Sequence, residues 1–131
     1  MTKVLFICSG NVARSQMAEA FYNYFTNSKN SSSAGTNDKT PQLYPKIPSE
    51  ICQIMLEEKI DLSKQKVKVI TEEMVEEAER IFMMGEHEKN PEFLINSNKV
   101  TFWDIEDPYQ MSLEEMKKIR DQIKDKVRTI I

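Results

Sequence analysis

With 131 residues, 40% of them hydrophobic and 30% charged, the chain has the size and composition of one globular domain, 1–131. A domain this long buries about two-thirds of its extended-chain surface, so it needs neither disulfide nor metal to hold a core. The net charge of −3, from 18 basic and 21 acidic residues that are interleaved, leaves no basic stripe for a polynucleotide backbone and excludes nucleic acid as a partner. Two cysteines, no secretory leader and no apolar run of about 18 residues argue against disulfide-stapled and membrane-spanning classes, and predict a monomer in the reducing cytoplasm.

The first apolar run, KVLFIC over residues 3–8, predicts a buried strand. Behind it, the loop CSGNVAR leads into a pattern where Met17, Phe21, Tyr24 and Phe25 recur at helical spacing, which completes one βα unit. The polar stretch NSKNSSSAG carries a short strand at 31–33. NDKTPQLYPK then leads to Pro48, suited to the first turn of a helix with Ile51, Met55 and Leu56 on its inner face. Thr71 followed by Glu72 and Glu73 starts a helix that turns Met74, Val75 and Ala78 inward. RIFMM reads as the third strand and KVTFW as the fourth. Ser112 with Glu115 forms a capping box for a last helix whose Leu113, Met116, Ile119, Ile123 and Val127 share a face. Strands alternating with helices predict an α/β, Rossmann-like domain with a four-stranded parallel sheet flanked by helices on both faces.

Cys8 closes the first strand, and Arg14 stands six residues on, where the next helix begins. Between them Ser9, Gly10, Asn11, Val12 and Ala13 form a loop of anion size at the carboxyl edge, where open α/β sheets bind ligands. A loop entering a helix N-terminus aims unpaired backbone N–H groups at one spot, and the macrodipole there favours negative charge. A thiol so placed, beside an arginine, is favoured as thiolate and becomes a nucleophile facing a bound oxyanion. The chain's three glycines, Gly10, Gly35 and Gly85, each follow a predicted strand, where backbone turns tightly or approaches a ligand.

A phosphocysteine chemistry also needs an acid to protonate the leaving oxygen, an assistance worth about 10²–10⁴-fold. WDIEDPY follows the fourth strand at the same edge and offers Asp104, Glu106 and Asp107. Asp107 is the choice, because Pro108 confines it to extended angles and stiffens the loop, while Tyr109 adds an aromatic wall. Tyr44, in TPQLYPK, supplies a second wall.

CSGNVARSQMAEAF, SAG, MMG and WDIEDPY, in that order over almost the whole chain, closely resemble the low-molecular-weight tyrosine phosphatase and thioredoxin-coupled arsenate reductase superfamily. The resemblance implies that Cys8 attacks phosphorus, Arg14 grips the equatorial oxygens, Ser15 stabilises the thiolate, and Asp107 serves first as acid and then as base. It further implies a left-handed Asn11 held by Ser15 and Ser33, a conformation that Asn tolerates better than most residues. Asn11, Glu19, Ser33 and Asp61 occupy positions resembling a potassium site of some arsenate reductases. No other cofactor is implied.

Several positions bear on the branch. Trp103 and Gly85 look more like the reductases, yet the two further cysteines of the thioredoxin-coupled enzymes are missing: MMGEHEKNPEF has no thiol, and Cys52 reads as a packing residue in the helix after the second strand. Ala13 stands where the phosphatases carry a second loop cysteine, and Gln110 where they carry a second aromatic. His87, the single histidine, reads as a loop residue without metal partners. The resulting expectation is a phosphatase acting on a phosphorylated protein or small aryl phosphate through a phosphocysteine. The alternative is arsenate reduction with an external thiol partner, and a phosphocarrier or a non-catalytic oxyanion-binding module is more remote.

Overall fold

The computed structural model describes residues 3–85 and 90–131; His87 lies outside them. The order of elements is β1 (Val4–Cys8), α1 (Arg14–Thr26), β2 (Ser31–Gly35), α2 (Thr40–Leu43), α3 (Ser49–Leu56), α4 (Glu72–Glu77), β3 (Arg80–Met83), α5 (Glu92–Ile95), β4 (Val100–Phe102) and α6 (Leu113–Arg128). The four strands pair in parallel in the order β2-β1-β3-β4, as the alternation of strands and helices predicts.

β1 is apolar throughout because both faces of the sheet are covered. Its alternate side chains split between two cores. Val4, Phe6 and Cys8 join the side chains of α1, α3 and α6, including Met17, Phe21, Ile51, Met55, Ile123 and Val127. Leu5 and Ile7 join Ala34, Ile70, Val75, Ile81, Met83 and Leu94 on the opposite face. Each such fully buried side chain contributes about 1.5–3 kcal/mol relative to an exposed one. On the first face Phe6, Phe82 and Trp103 form an aromatic cluster, with Phe82 and Trp103 centroids 4.5 Å apart, so Trp103 is a core residue.

The capping signals hold. Thr71 Oγ1 accepts the Met74 N–H at the start of α4, and Ser112 and Glu115 exchange both bonds of a capping box on α6. Two expectations of burial do not. Leu56 is 58% exposed because Ile51, Ile54 and Met55 form the inner stripe of α3, and Leu56 lies well over a quarter-turn from all but its neighbour. Tyr24 is 53% exposed, beyond the fully buried part of α1 that ends at Tyr22, while Phe25 beside it packs partly buried against the core and stacks on Phe21. The one-turn helices α2 and α5, begun near Pro41 and Pro91, are too short to show a period.

The strand order sets the site. From β1 the chain passes outward to β2 on one side, and later to β3 and β4 on the other, so the connections leaving β1 and β2 diverge from those leaving β3 and β4. A crevice opens between them at the carboxyl end of β1.

Candidate active site

Cys8 is the last residue of β1 and lies at the bottom of this crevice, 2% exposed. The loop after it is pinned from β2's side by Thr36 N–H donating to Cys8 O and Asn37 N–H to Ser9 O, at 3.0 and 2.9 Å. α1 then begins with Ala13 as a cap that has no side-chain acceptor, and no acidic residue stands in its first turn. Its leading N–H groups and macrodipole are therefore left for an anion held in the loop. The Cys8 Sγ accepts the Asn11 N–H at 3.2 Å and sits 2.9 Å from Ser15 Oγ.

Asn11 is left-handed, with φ 58°, and fully buried. Its Nδ2 donates to Ser15 Oγ at 2.8 Å and Ser33 Oγ at 2.9 Å. Its Oδ1 accepts from Gln16 Nε2 at 2.9 Å and from the Lys68 N–H at 2.8 Å. Every hydrogen-bonding capacity of the amide is used, which is what holds a strained backbone in place.

Arg14 is buried, its Nη1 donating to the carbonyls of Met84 and Ile105, the latter at 3.0 Å. Its Nη2 stands 3.7 Å from Asp107 Oδ2. Asp107 is exposed at the crevice mouth, and its Oδ1 accepts the Tyr109 N–H at 3.0 Å, an Asx turn that stiffens DPY. A thiol, a guanidinium and a carboxylate thus border one cavity of about 600 Å³. Ser9, Gly10, Val12 and Ala13 form its floor, and Leu43, Tyr44, Ile51, Tyr109, Met111 and Met116 furnish its walls. Asp104 and Glu106 are exposed and do not line it.

Of the potassium-site residues, Asn11, Ser33 and Glu19 come together, with Ser33 Oγ donating to Glu19 Oε1 at 2.8 Å. Asp61 stands on the surface, where the Ser63 side chain, and with it the Ser63 N–H donating at 2.8 Å, holds the carboxylate below its usual range. Among the described residues no group of three His, Cys, Asp or Glu side chains could hold a metal ion. Burial pushes the Cys52 thiol up, and the Asp61 carboxylate adds to the effect, so this cysteine stays a thiol at neutral pH.

Sequence reasoning missed Gln16, Lys68 and the carbonyls of Met84 and Ile105. The first half of α1 is buried all round, Gln16 and Glu19 included, and a buried polar residue in a short helix looks like a solvated one until its partners, distant in the chain, are known.

A parallel sheet that presents this constellation at one carboxyl edge defines an enzyme of tetrahedral oxyanions. The chain belongs to the low molecular weight phosphotyrosine protein phosphatase family, whose sequence profile matches residues 3–131. It is 30% identical to an arsenate reductase of Brevibacillus brevis over 128 residues, 95% of this chain and 90% of that one. It is 27% identical to a probable low molecular weight protein-tyrosine-phosphatase, EpsP, of Ralstonia solanacearum, over 84% of this chain and 80% of the other. Among solved structures, an arsenate reductase in the phosphate binding state superposes with a TM-score of 0.81 at 28% identity, covering 99% of this chain and 96% of that one. The family and its relatives make this chain an enzyme with phosphatase or arsenate reductase activity. Among the described residues no helix is long and apolar enough to cross a membrane.

Proposed function

We propose that the protein is a cysteine-dependent phosphatase acting on phosphotyrosine-like monoesters. The observation that carries this reading is the pairing of Arg14 with Asp107 at 3.7 Å above a sulfur held by Asn11 and Ser15. A phosphocarrier must preserve its phosphocysteine and has no use for such an acid. A binding module needs neither the thiol nor the carboxyl.

In the first step the Cys8 thiolate attacks phosphorus. The S–P bond forms, the P–O bond to the leaving group breaks, and Asp107 gives its proton to the departing oxygen. Loop N–H groups and Arg14 hold the three equatorial oxygens, where charge builds in the transition state. In the second step Asp107 takes a proton from water as its oxygen attacks phosphorus, the S–P bond breaks, and phosphate leaves with the thiolate restored. The apolar walls from Leu43, Tyr44, Ile51 and Tyr109 suit an aryl group. Gln110 in place of a second aromatic leaves one side of that slot polar.

Arsenate reduction is the second reading, favoured by the Brevibacillus brevis relative. Cys8 would displace hydroxide from arsenate. An external thiol would then attack the Cys8 sulfur, forming a mixed disulfide as two electrons pass to arsenic and arsenite departs. A second external thiol would restore Cys8. That partner is required because Cys52 is the chain's one other cysteine, and it lies in α3 with its Sγ turned to Ile47 O at 3.9 Å.

The deciding experiment is p-nitrophenyl phosphate turnover by wild type, Cys8→Ser and Asp107→Asn. Loss of turnover in Cys8→Ser, and slowing of about 10²-fold or more in Asp107→Asn, are expected. Wild-type turnover no faster than that of Cys8→Ser overturns the reading, and arsenate-dependent oxidation of glutathione would then favour the second one.

A further inference from the structure

The potassium set of Asn11, Glu19, Ser33 and Asp61 holds two carboxylates. Glu19 is buried, its side chain 8% exposed, and a carboxylate taken so far from water requires a cation or several donors around it. Ser33 Oγ donates to its Oε1 at 2.8 Å and Gln65 Nε2 to its Oε2 at 2.9 Å. The cation is supplied by the chain itself: Lys68 Nζ stands 3.7 Å from Glu19 Oε1. Asp61, the second carboxylate of the set, is engaged with Ser63 at the surface. One carboxylate that already faces an ammonium leaves a free monovalent cation with a like charge beside it and, within the set, no second anion to offset that repulsion. These residues do not fit a resident potassium ion.

We propose that Lys68 is the built-in counter-cation of Glu19, standing where a mobile monovalent ion would otherwise be needed, and that it acts as a positioning residue for Cys8. The path is continuous. Glu19 accepts from Ser33, Ser33 accepts from Asn11, and Asn11 donates to Ser15, which contacts the Cys8 sulfur at 2.9 Å. Without a fixed positive charge, Glu19 loses the partner that keeps its oxygen on Ser33, and the hydroxyl and amide behind it lose their unique orientation.

Lys68 is held where it stands by main-chain bonds that do not involve its ammonium. Its N–H donates to Asn11 Oδ1 at 2.8 Å, its carbonyl accepts the Gly35 N–H at 2.8 Å, and Ile70 N–H donates to Gly35 O at 2.8 Å. Gln16 Nε2 ties the neighbouring Lys66 carbonyl to the same Asn11 oxygen. Replacing Lys68 by methionine therefore removes the charge and keeps the segment docked.

The inference rests on Cys8 as the nucleophile and not on which oxyanion it attacks, so its primary readout is the rate of Cys8 alkylation by iodoacetamide at neutral pH, followed at the Cys8 peptide by mass spectrometry. p-Nitrophenyl phosphate turnover is read in parallel. Each is measured in potassium chloride and in tetramethylammonium chloride at one ionic strength. Wild type and Lys68→Arg are expected to give the same rates in both salts. Lys68→Met is expected to react about tenfold more slowly in the tetramethylammonium salt and to recover substantially in potassium. In Glu19→Gln/Lys68→Met, with no charge left to balance, the response to potassium disappears. Activation of the wild type by potassium overturns the proposal, as does a Lys68→Met protein that matches wild type in tetramethylammonium or that potassium does not rescue. Should Lys68→Met fail to fold, the salt comparisons on wild type and Lys68→Arg still decide. Absent turnover with the alkylation pattern intact would count against the phosphatase reading alone.

Discussion

Gly35 ends β2 directly beneath the oxyanion loop, and alanine there tests how closely the loop must be held. A Cβ built on Gly35 would lie 2.8 Å from Ser9 O, 2.9 Å from the Gly10 carbonyl carbon and 3.0 Å from Asn11 N. No glycine in the described residues has positive φ, so it is space and not conformation that demands glycine. All three atoms are backbone and cannot swing aside as a side chain would. To reach the 3.4 Å at which ordinary contact begins, the loop must retreat by about 0.6 Å from its 2.8 Å contact. That retreat works against the Thr36 and Asn37 N–H bonds to Cys8 O and Ser9 O. Overpacking of this kind costs about 1–3 kcal/mol of stability. A misplacement approaching 1 Å in a catalytic array costs about 10²-fold in rate, so Gly35→Ala is expected to lose between about 10- and 100-fold in kcat/KM. Turnover of p-nitrophenyl phosphate, set beside a thermal melt, separates the two effects. A folded Gly35→Ala protein with wild-type kcat/KM would show that the loop tolerates displacement and would refute the reasoning.

Asn11→Gly and Asn11→Ala both remove the amide that organises Ser15, Ser33, Gln16 and Lys68, and the alanine adds a left-handed penalty of about 1–2 kcal/mol, so chemical denaturation should rank wild type above Gly and Gly above Ala. At neutral pH iodoacetamide should modify Cys8 well before Cys52, whose thiol burial pushes up; equal labelling of the two peptides would contradict this. The Arg120 guanidinium, with Lys117 adding, holds the Glu57 carboxyl below its ordinary value of 4.5. Its ionised form is thus favoured by folding, and that stabilisation is present above pH 4.5 and lost as pH falls through the depressed value. Glu57→Gln should accordingly lower Tm at pH 7, with the gap to wild type closing as the melts are repeated below pH 4.5. Phe6, fully buried between Tyr22, Phe82 and Trp103, should destabilise the fold by about 3–5 kcal/mol as Phe6→Ala, measured by urea unfolding.

Much of this architecture can be read from residue order because its signals are local. KVLFIC is apolar without interruption, as a strand covered on both faces must be, and Ser112 with Glu115 announces α6 three residues apart. The position of Cys8 and Arg14 around the loop follows from the same βα junction. What escapes such reading depends on contacts that close over long stretches of chain. Lys68 meets Asn11 across 57 residues, and Arg14 meets the Ile105 carbonyl across 91; no spacing rule relates such pairs. Leu56 fails for a simpler reason, since a stripe through Ile51 and Met55 is completed by Ile54 on the near side of the helix, and not by the apolar residue that happens to follow.

The way Arg14 is fastened has a consequence for synthesis of the molecule. Its guanidinium is aimed by the carbonyl of Met84 just past β3 and that of Ile105 just past β4, both made long after Cys8 has left the ribosome. A nascent chain therefore carries its thiol for most of its translation without an aimed arginine beside it. Under the proposed mechanism, competence arrives only once the distal strands have docked, so a truncated or stalled product would hold a cysteine and no enzyme.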